Sequence, residues 1–180
     1  ASQMPIQIRK DYGSNMNDSY WLSNPKAPLV GYPSIIGNEG TARSLRTRNG
    51  LVQIEERLAN GGKFTPTNLR EFIDSDRHYG AEILIPALVS YCQACAVLAA
   101  WDKTDGLDSP GAYLGRQVIG NLLAIPGGPW TTPFSLGDPV HTPNGLDVAK
   151  PEVGNALVDA INYMNGKNIP LDAKWRDYQY

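Results

Sequence analysis

Ile83-Leu-Ile-Pro-Ala-Leu-Val-Ser-Tyr-Cys-Gln-Ala-Cys-Ala-Val-Leu-Ala-Ala-Trp101 is the most apolar stretch of the chain and carries no charge. A run this long and apolar on all sides is a buried helix rather than a strand. Ala94 to Ala100 is a good helix former, and Pro86 is placed in the first turn, because deeper inside a helix it removes a hydrogen bond and clashes. The reading is therefore one central helix over 83–101. Ser90, Tyr91 and Gln93 interrupt the run, so it falls short of the roughly 20 apolar residues of a membrane span.

Working outward, every neighbouring segment reads as helix or irregular loop. Asp102 to Gly106 is a turn, and Asp108-Ser109-Pro110 restarts a helix to about Ala124, which Pro126-Gly127-Gly128-Pro129 ends. Residues 126–148 form a long loop with Trp130, Phe134 and His141. Pro151 opens a last helix to about Tyr163, closed by Asn165-Gly166. Upstream, Thr65-Pro66-Thr67 supplies an N-cap and a proline at the first helical position of a short helix through about Ser75 that buries Leu69, Phe72 and Ile73. From Thr41 to Leu58, apolar Leu45, Leu51, Val52, Ile54 and Leu58 share a helix face, and Asn60-Gly61-Gly62 stops it. Residues 1–38 are ordered loop, broken by Pro25, Pro28 and Pro33, with Ile6-Gln7-Ile8 alternating as a short strand would. The fold class is mainly α, with four to six helices, long Pro/Gly-rich loops and little strand. The organisation is an extended loop segment over 1–38 and a helical part over 39–180.

Composition narrows the function classes. The 180 residues are 42% hydrophobic and 19% charged, with 16 Lys+Arg against 18 Asp+Glu and a net charge of −2. There is no basic excess for nucleic acid. Cys92-Gln93-Ala94-Cys95 lies in an apolar setting without nearby cations, unlike a redox pair, and lacks two further ligands for zinc. It reads as core cysteines, with a local i,i+3 bridge within geometric reach. His78 reads as a surface or capping residue and His141 as a loop residue. No Gly-x-Ser-x-Gly elbow occurs. Asp102 to Asp108 fails as a calcium loop, because Trp101 and Lys103 fall where oxygen ligands are required. No cofactor or metal is expected.

Asn15-Met-Asn-Asp-Ser-Tyr-Trp21 stands apart. Amides interleaved with aromatics, in a segment with neither period, have two readings. The Asn and Asp side chains satisfy the loop's own backbone, or one Asn amide faces outward as a fixed neutral donor of the kind that stabilises oxyanions. Arg43, Arg46 and Arg48 read as a solvated helix face whose close like charges want an acidic or polar partner.

In order along the chain, Asn15-Met-Asn-Asp-Ser-Tyr-Trp-Leu-Ser-Asn-Pro25, Gly31-Tyr-Pro, Thr41-Ala-Arg-Ser-Leu-Arg-Thr-Arg48, Leu98-Ala-Ala-Trp-Asp102, Asp138-Pro-Val-His-Thr-Pro-Asn-Gly-Leu146 and Ile169-Pro-Leu-Asp-Ala173 resemble the β-chain of the penicillin acylase family. The nearest flavour is the branch of acyl-homoserine lactone and aculeacin acylases. The resemblance implies a periplasmic or secreted Ntn hydrolase of αββα core. Its precursor cuts itself into α- and β-chains, and a new N-terminal Ser attacks an amide with its own amine as base. It implies that a backbone N–H and an Asn amide form the oxyanion hole and that an Arg orients the Asn. Residue by residue, Asn17 matches the oxyanion Asn and Arg46 the Arg, with Asn15 and Arg43 as supporting or alternative positions. The family's β-chain opening has no counterpart here, Ser2 lacks the context of its nucleophile, and no carboxylate among 24–28 matches the calcium site of some members.

The resemblance thus implies an internal piece of an acylase β-chain, inactive alone. Its partners would be the α-chain, the remaining β-chain and a small acyl-amide substrate such as an acyl-homoserine lactone, a lipopeptide or a penicillin. The unsignalled start at Ala1 and the end at Tyr180 fit such a piece. The competing reading is a stand-alone helical binding module, with Trp21, Trp130 and Trp175 lining a site for an apolar ligand or a sugar.

Overall fold

A computed structural model describes residues 4–59, 61–92 and 95–178. Six α-helices occur among them: α1 (Leu45–Ala59), α2 (Pro66–Asp74), α3 (Tyr79–Tyr91), α4 (Ala96–Ala100), α5 (Ala112–Leu123) and α6 (Pro151–Gly166). The mainly helical reading holds. The chain divides into two compact units, Ala1–Phe64 with Pro133–Pro143, and Thr65–Thr132 with Asn144–Tyr180.

The second unit contains α2 to α6. Its core gathers Leu84, Ile85 and Leu88 of α3, Leu98 of α4, Leu114, Val118 and Leu122 of α5, and Val153, Ala156, Ala160 and Met164 of α6. On α6 the buried positions Val153, Ala156, Leu157, Ala160 and Met164 recur at spacings of three and four, the stripe that a 3.6-residue period presents to a core. Asn121 Nδ2 of α5 donates to Ala156 O of α6 at 3.0 Å.

The single central helix is corrected to two. Helix α3 starts at Tyr79, four residues earlier than Ile83, capped by His78, whose Nδ1 accepts from Ala81 N–H at 3.2 Å. Pro86 therefore lies inside the helix rather than in its first turn. It sits on an exposed face of the helix, and its missing N–H leaves out the hydrogen bond to the Glu82 carbonyl. The helix ends where Cys92 turns to extended backbone, and α4 resumes only at Ala96. A disulfide joins Cys92 to Cys95 across this break. Gln93 and Ala94 lie outside the described residues.

Trp101, 1% exposed, follows α4 and fills the centre of the unit. Its indole Nε1 donates to Thr104 O at 2.9 Å, and the His78 ring meets it edge-on. Gly115 of α5 lies flat against it: a Cβ there would fall 2.2 Å from the indole carbons. Gly115→Ala is therefore expected to lower stability by about 1–3 kcal/mol, because the buried ring has nowhere to go. Urea denaturation checks this, and an unchanged midpoint would contradict the packing account.

Three further expectations change. The loop over 126–148 contains a hairpin: β1 (Trp130–Thr132) pairs antiparallel with β2 (Asn144–Leu146), Trp130 opposite Leu146. Its strands are too short to show a period. Helix α2 keeps its Thr65 capping box but buries nothing; Leu69 and Ile73 are exposed. Ile6 to Ile8 is not a strand, and both isoleucines face solvent.

In the first unit, α1 starts at Leu45 rather than Thr41, because Ser44 precedes it and its Oγ accepts from Thr47 N–H at 3.2 Å. Helix α1 ends at Ala59, directly before the expected Asn60-Gly61-Gly62 stop, with Gly61 at φ +68°; Asn60 itself lies outside the described residues. The loop before α1 is held by polar side chains. Asn24, fully buried, donates to Tyr12 O at 3.0 Å and accepts from Lys26 N–H at 2.9 Å. Glu39 accepts from the Tyr20 hydroxyl, from Tyr32 N–H at 2.9 Å and from Gly31 N–H at 2.8 Å. Burial and the Glu39 carboxylate push the Tyr20 hydroxyl up to about 12.

Candidate functional site: the Asn15–Trp21 loop on helix α1

Asn15 and Asn17 do different work. Asn15 Oδ1 accepts from the backbone N–H of Asn17 at 2.9 Å, closing an Asx-type turn. That turn holds Asn17 at φ +54°, a left-handed conformation that Asn adopts more readily than most residues. Asn15 thus spends its carbonyl inside the loop. Asn17 uses its backbone there, which leaves its side chain to point outward, and it is exposed.

Arg46, in the first turn of α1, reaches back to this loop. Its Nη2 donates to Met16 O at 2.5 Å and its Nη1 to Asn17 Oδ1 at 3.3 Å. A guanidinium only donates, so the amide oxygen of Asn17 faces it and Nδ2 is turned the other way. The Met16 side chain lies on Gly50 of α1, where a Cβ would come within 2.4 Å of its sulfur.

Arg43 is not a solvated cation. Its side chain is 5% exposed and its Nη1 donates to Asp18 Oδ1 at 2.7 Å. Nε donates to Thr41 O at 3.1 Å, and the guanidinium stands 5.7 Å above the Trp21 ring. Arg48, 1% exposed, donates from Nε to Val140 O at 2.6 Å and from Nη1 to Pro143 O at 2.8 Å. The arginine run is thus one exposed and two buried residues, each with its own partner, and the solvated-face reading is corrected.

Asp18 was legible only as the polar residue after Asn17. Its Oδ2 accepts from Thr47 Oγ1 at 2.8 Å and its Oδ1 from Ser19 N–H at 2.8 Å, besides Arg43. Partial burial works to raise its pKa. The Thr47 hydroxyl, the Ser19 and Ser44 N–H groups and the Arg43 charge outweigh that and hold it below the usual carboxylate value. A depressed carboxylate contributes stability above its unfolded pKa, about 4, and loses it as pH falls through the folded one. Glu39, held low chiefly by the Tyr20 hydroxyl, adds to the same acid window. Acidification below about pH 4 is therefore expected to loosen the loop around Trp21, read by tryptophan emission. Asp18→Asn should reduce that acid transition, and an identical transition in the variant would contradict the assignment.

The hydroxyls beside Asn17 are committed elsewhere: Ser14 donates to Ser23 O at 2.9 Å, Ser19 to Asn38 O at 2.7 Å and Ser23 to Tyr20 O at 2.7 Å. Beside the loop opens a cavity of about 270 Å³, lined among others by Asn15, Met16, Tyr20 and Thr47. His141 pairs with Asp138 at 2.8 Å on an exposed loop, and His78 caps α3. Among the described residues no group of three or more His, Cys, Asp or Glu could hold a metal ion. Trp21 is buried, 2% exposed, and offers no face to a ligand.

The chain is similar to known acylases over nearly its whole length. It is 38% identical to aculeacin-A acylase of Actinoplanes utahensis over 89% of this chain and 23% of that protein. It is 30% identical to the acyl-homoserine lactone acylase PvdQ of Pseudomonas syringae pv. syringae over 99% of this chain and 25% of that protein. It thus spans about a quarter of the length of the curated relatives it matches. The penicillin amidase family model matches residues 1–180, and the chain belongs to that family.

Proposed function

We propose that this chain is part of an N-acyl amide hydrolase and that it supplies the oxyanion donor of the active site. The carrying observation is the Arg46–Asn17 pair: the guanidinium takes the amide oxygen, so Nδ2 is presented as a fixed, neutral hydrogen-bond donor. As a nucleophile adds to the scissile amide carbon, the carbonyl oxygen gains negative charge. A donor already oriented toward that position stabilises it without reorganising. Arg46, Asn15 and Arg43 then serve this amide through the loop, Arg46 at its oxygen, Asn15 at its backbone and Arg43 through Asp18.

The nucleophile and its base come from the rest of the enzyme in this reading, since the nearby serines donate to backbone carbonyls. The αββα core, the α-chain and the acyl pocket belong to that larger assembly, as does an acyl-amide substrate of the lactone, lipopeptide or penicillin type. A periplasmic or secreted location is supported by the Cys92–Cys95 bridge, which suits an oxidising compartment. No helix among the described residues is long and apolar enough to cross a membrane. The 180 residues alone are expected to hydrolyse no N-acyl amide, whereas the full-length protein should. Deacylation by the isolated chain, or none by the full-length protein under any acyl amide of these classes, would overturn the proposal.

A further inference from the structure

We infer that Asp18 is the positioning residue of the Asn17 amide: its carboxylate pins the loop that carries Asn17 to the first turn of α1, from which Arg46 reaches the amide oxygen. This rests on the reading of Asn17 as an oxyanion donor and names the residue on which its geometry depends.

The carboxylate gathers donors from each segment that must be held together. Oδ1 accepts from Ser19 N–H of the loop itself and from Arg43 Nη1. Oδ2 accepts from Thr47 Oγ1 at 2.8 Å, from Ser44 N–H at 3.4 Å and from Ser44 Oγ at 3.5 Å, all at the N-terminus of α1. A carboxylate has about four lone-pair sites, so Asp18 has no capacity left for substrate, and its role is held apart from catalysis. Its charge also suits the site: an anion is favoured at a helix N-terminus, where Arg43 and Arg46 alone would be unfavourable.

The frame around it is stiff. Thr47 is buried, and Arg43 is fixed by Thr41 and the Trp21 ring. Asn17 lies directly between two restraints, Asn15 gripping its N–H from one side and Asp18 anchoring the next residue on the other. A non-glycine residue with positive φ persists when its surroundings over-determine it, and these two restraints do so at Asn17.

The test uses the full-length acylase with Asp18→Asn and, should that variant fail to fold, Thr47→Val, which removes one donor while keeping the side-chain shape. Misplacing a catalytic group by about an ångström costs up to about a hundredfold, so Asp18→Asn is expected to lower kcat by about tenfold or more with KM little changed. Thr47→Val should show a smaller loss that Thr47→Ser restores. In the 180-residue chain, the side-chain amide resonances of Asn17 should shift in both Asp18→Asn and Thr47→Val. Unchanged kcat in Asp18→Asn and Thr47→Val, with Asn17→Ala crippled, would overturn the inference and leave the oxyanion reading standing. A loss of activity that only tracks the folded fraction, with no kcat effect per folded molecule, would also overturn it. A silent Asn17→Ala would remove the oxyanion reading and this inference together.

Discussion

Asn17→Ala in the full-length protein is expected to lower the kcat of the proposed amide hydrolysis by about 10²–10³, or about 2.7–4 kcal/mol of transition-state stabilisation, the range found for removing one oxyanion donor. KM should change far less, because in the proposed role the donor is aimed at charge that develops only as the tetrahedral intermediate forms. Asn15→Ala should act differently. It removes the acceptor that holds Asn17 N–H, so the amide remains but its loop loosens. Arg46→Ala leaves Asn17 Oδ1 without its guanidinium, so the amide is free to rotate. Both should cost less than the loss of Asn17 itself, and steady-state kinetics on one acyl amide separates the three. Equal losses for Asn15→Ala and Asn17→Ala would shift the donor assignment to Asn15.

Arg48→Met is the second large effect, and it falls on stability. The guanidinium is buried and bridges Val140 O and Pro143 O, so one side chain on α1 holds the Pro133–Pro143 segment. Hydrogen bonds to a charged group are worth about 1.5–3 kcal/mol each. Methionine relieves the desolvation of the cation but leaves two buried carbonyls without their donor. The expected net loss is about 3 kcal/mol, read as a lower denaturation midpoint and faster hydrogen exchange in α1. Arg48→Lys should not rescue it, because a single ammonium does not reproduce the fork. A midpoint within error of the parent would contradict the clamp.

Much of the fold was legible in the sequence, and the reasons for the remainder are specific. The Thr65-Pro66 start of α2, the Pro151 start of α6 and the end of α5 rest on local caps and Pro/Gly breakers, which survive burial unchanged. The break of the central helix was not legible, since nothing in Ala-rich sequence opposes a helix through Cys92–Cys95; the bridge and the extended Cys92 override propensity. The exposed face of α2 misled in the opposite direction, because an amphipathic pattern says which side is apolar but not what covers it. At the site, the Asn amides and the first-turn arginine could be singled out by residue type and resemblance. Asp18 could not, because its partners Arg43, Ser44 and Thr47 lie 25 to 29 positions away. One signal for Arg48 was present: with Leu51 and Val52 at i+3 and i+4, it shares the apolar face of α1 and had to be buried.

The most direct measurement is a crystal structure of the full-length protein with a tetrahedral oxyanion mimic, such as a boronate or phosphonate, on the proposed nucleophile. The predicted result is Asn17 Nδ2 at about 2.7–3.1 Å from the mimic's oxyanion, with Arg46 still on Asn17 Oδ1. An oxyanion held by Asn15 or by other donors, with Asn17 Nδ2 turned to solvent, would contradict the account.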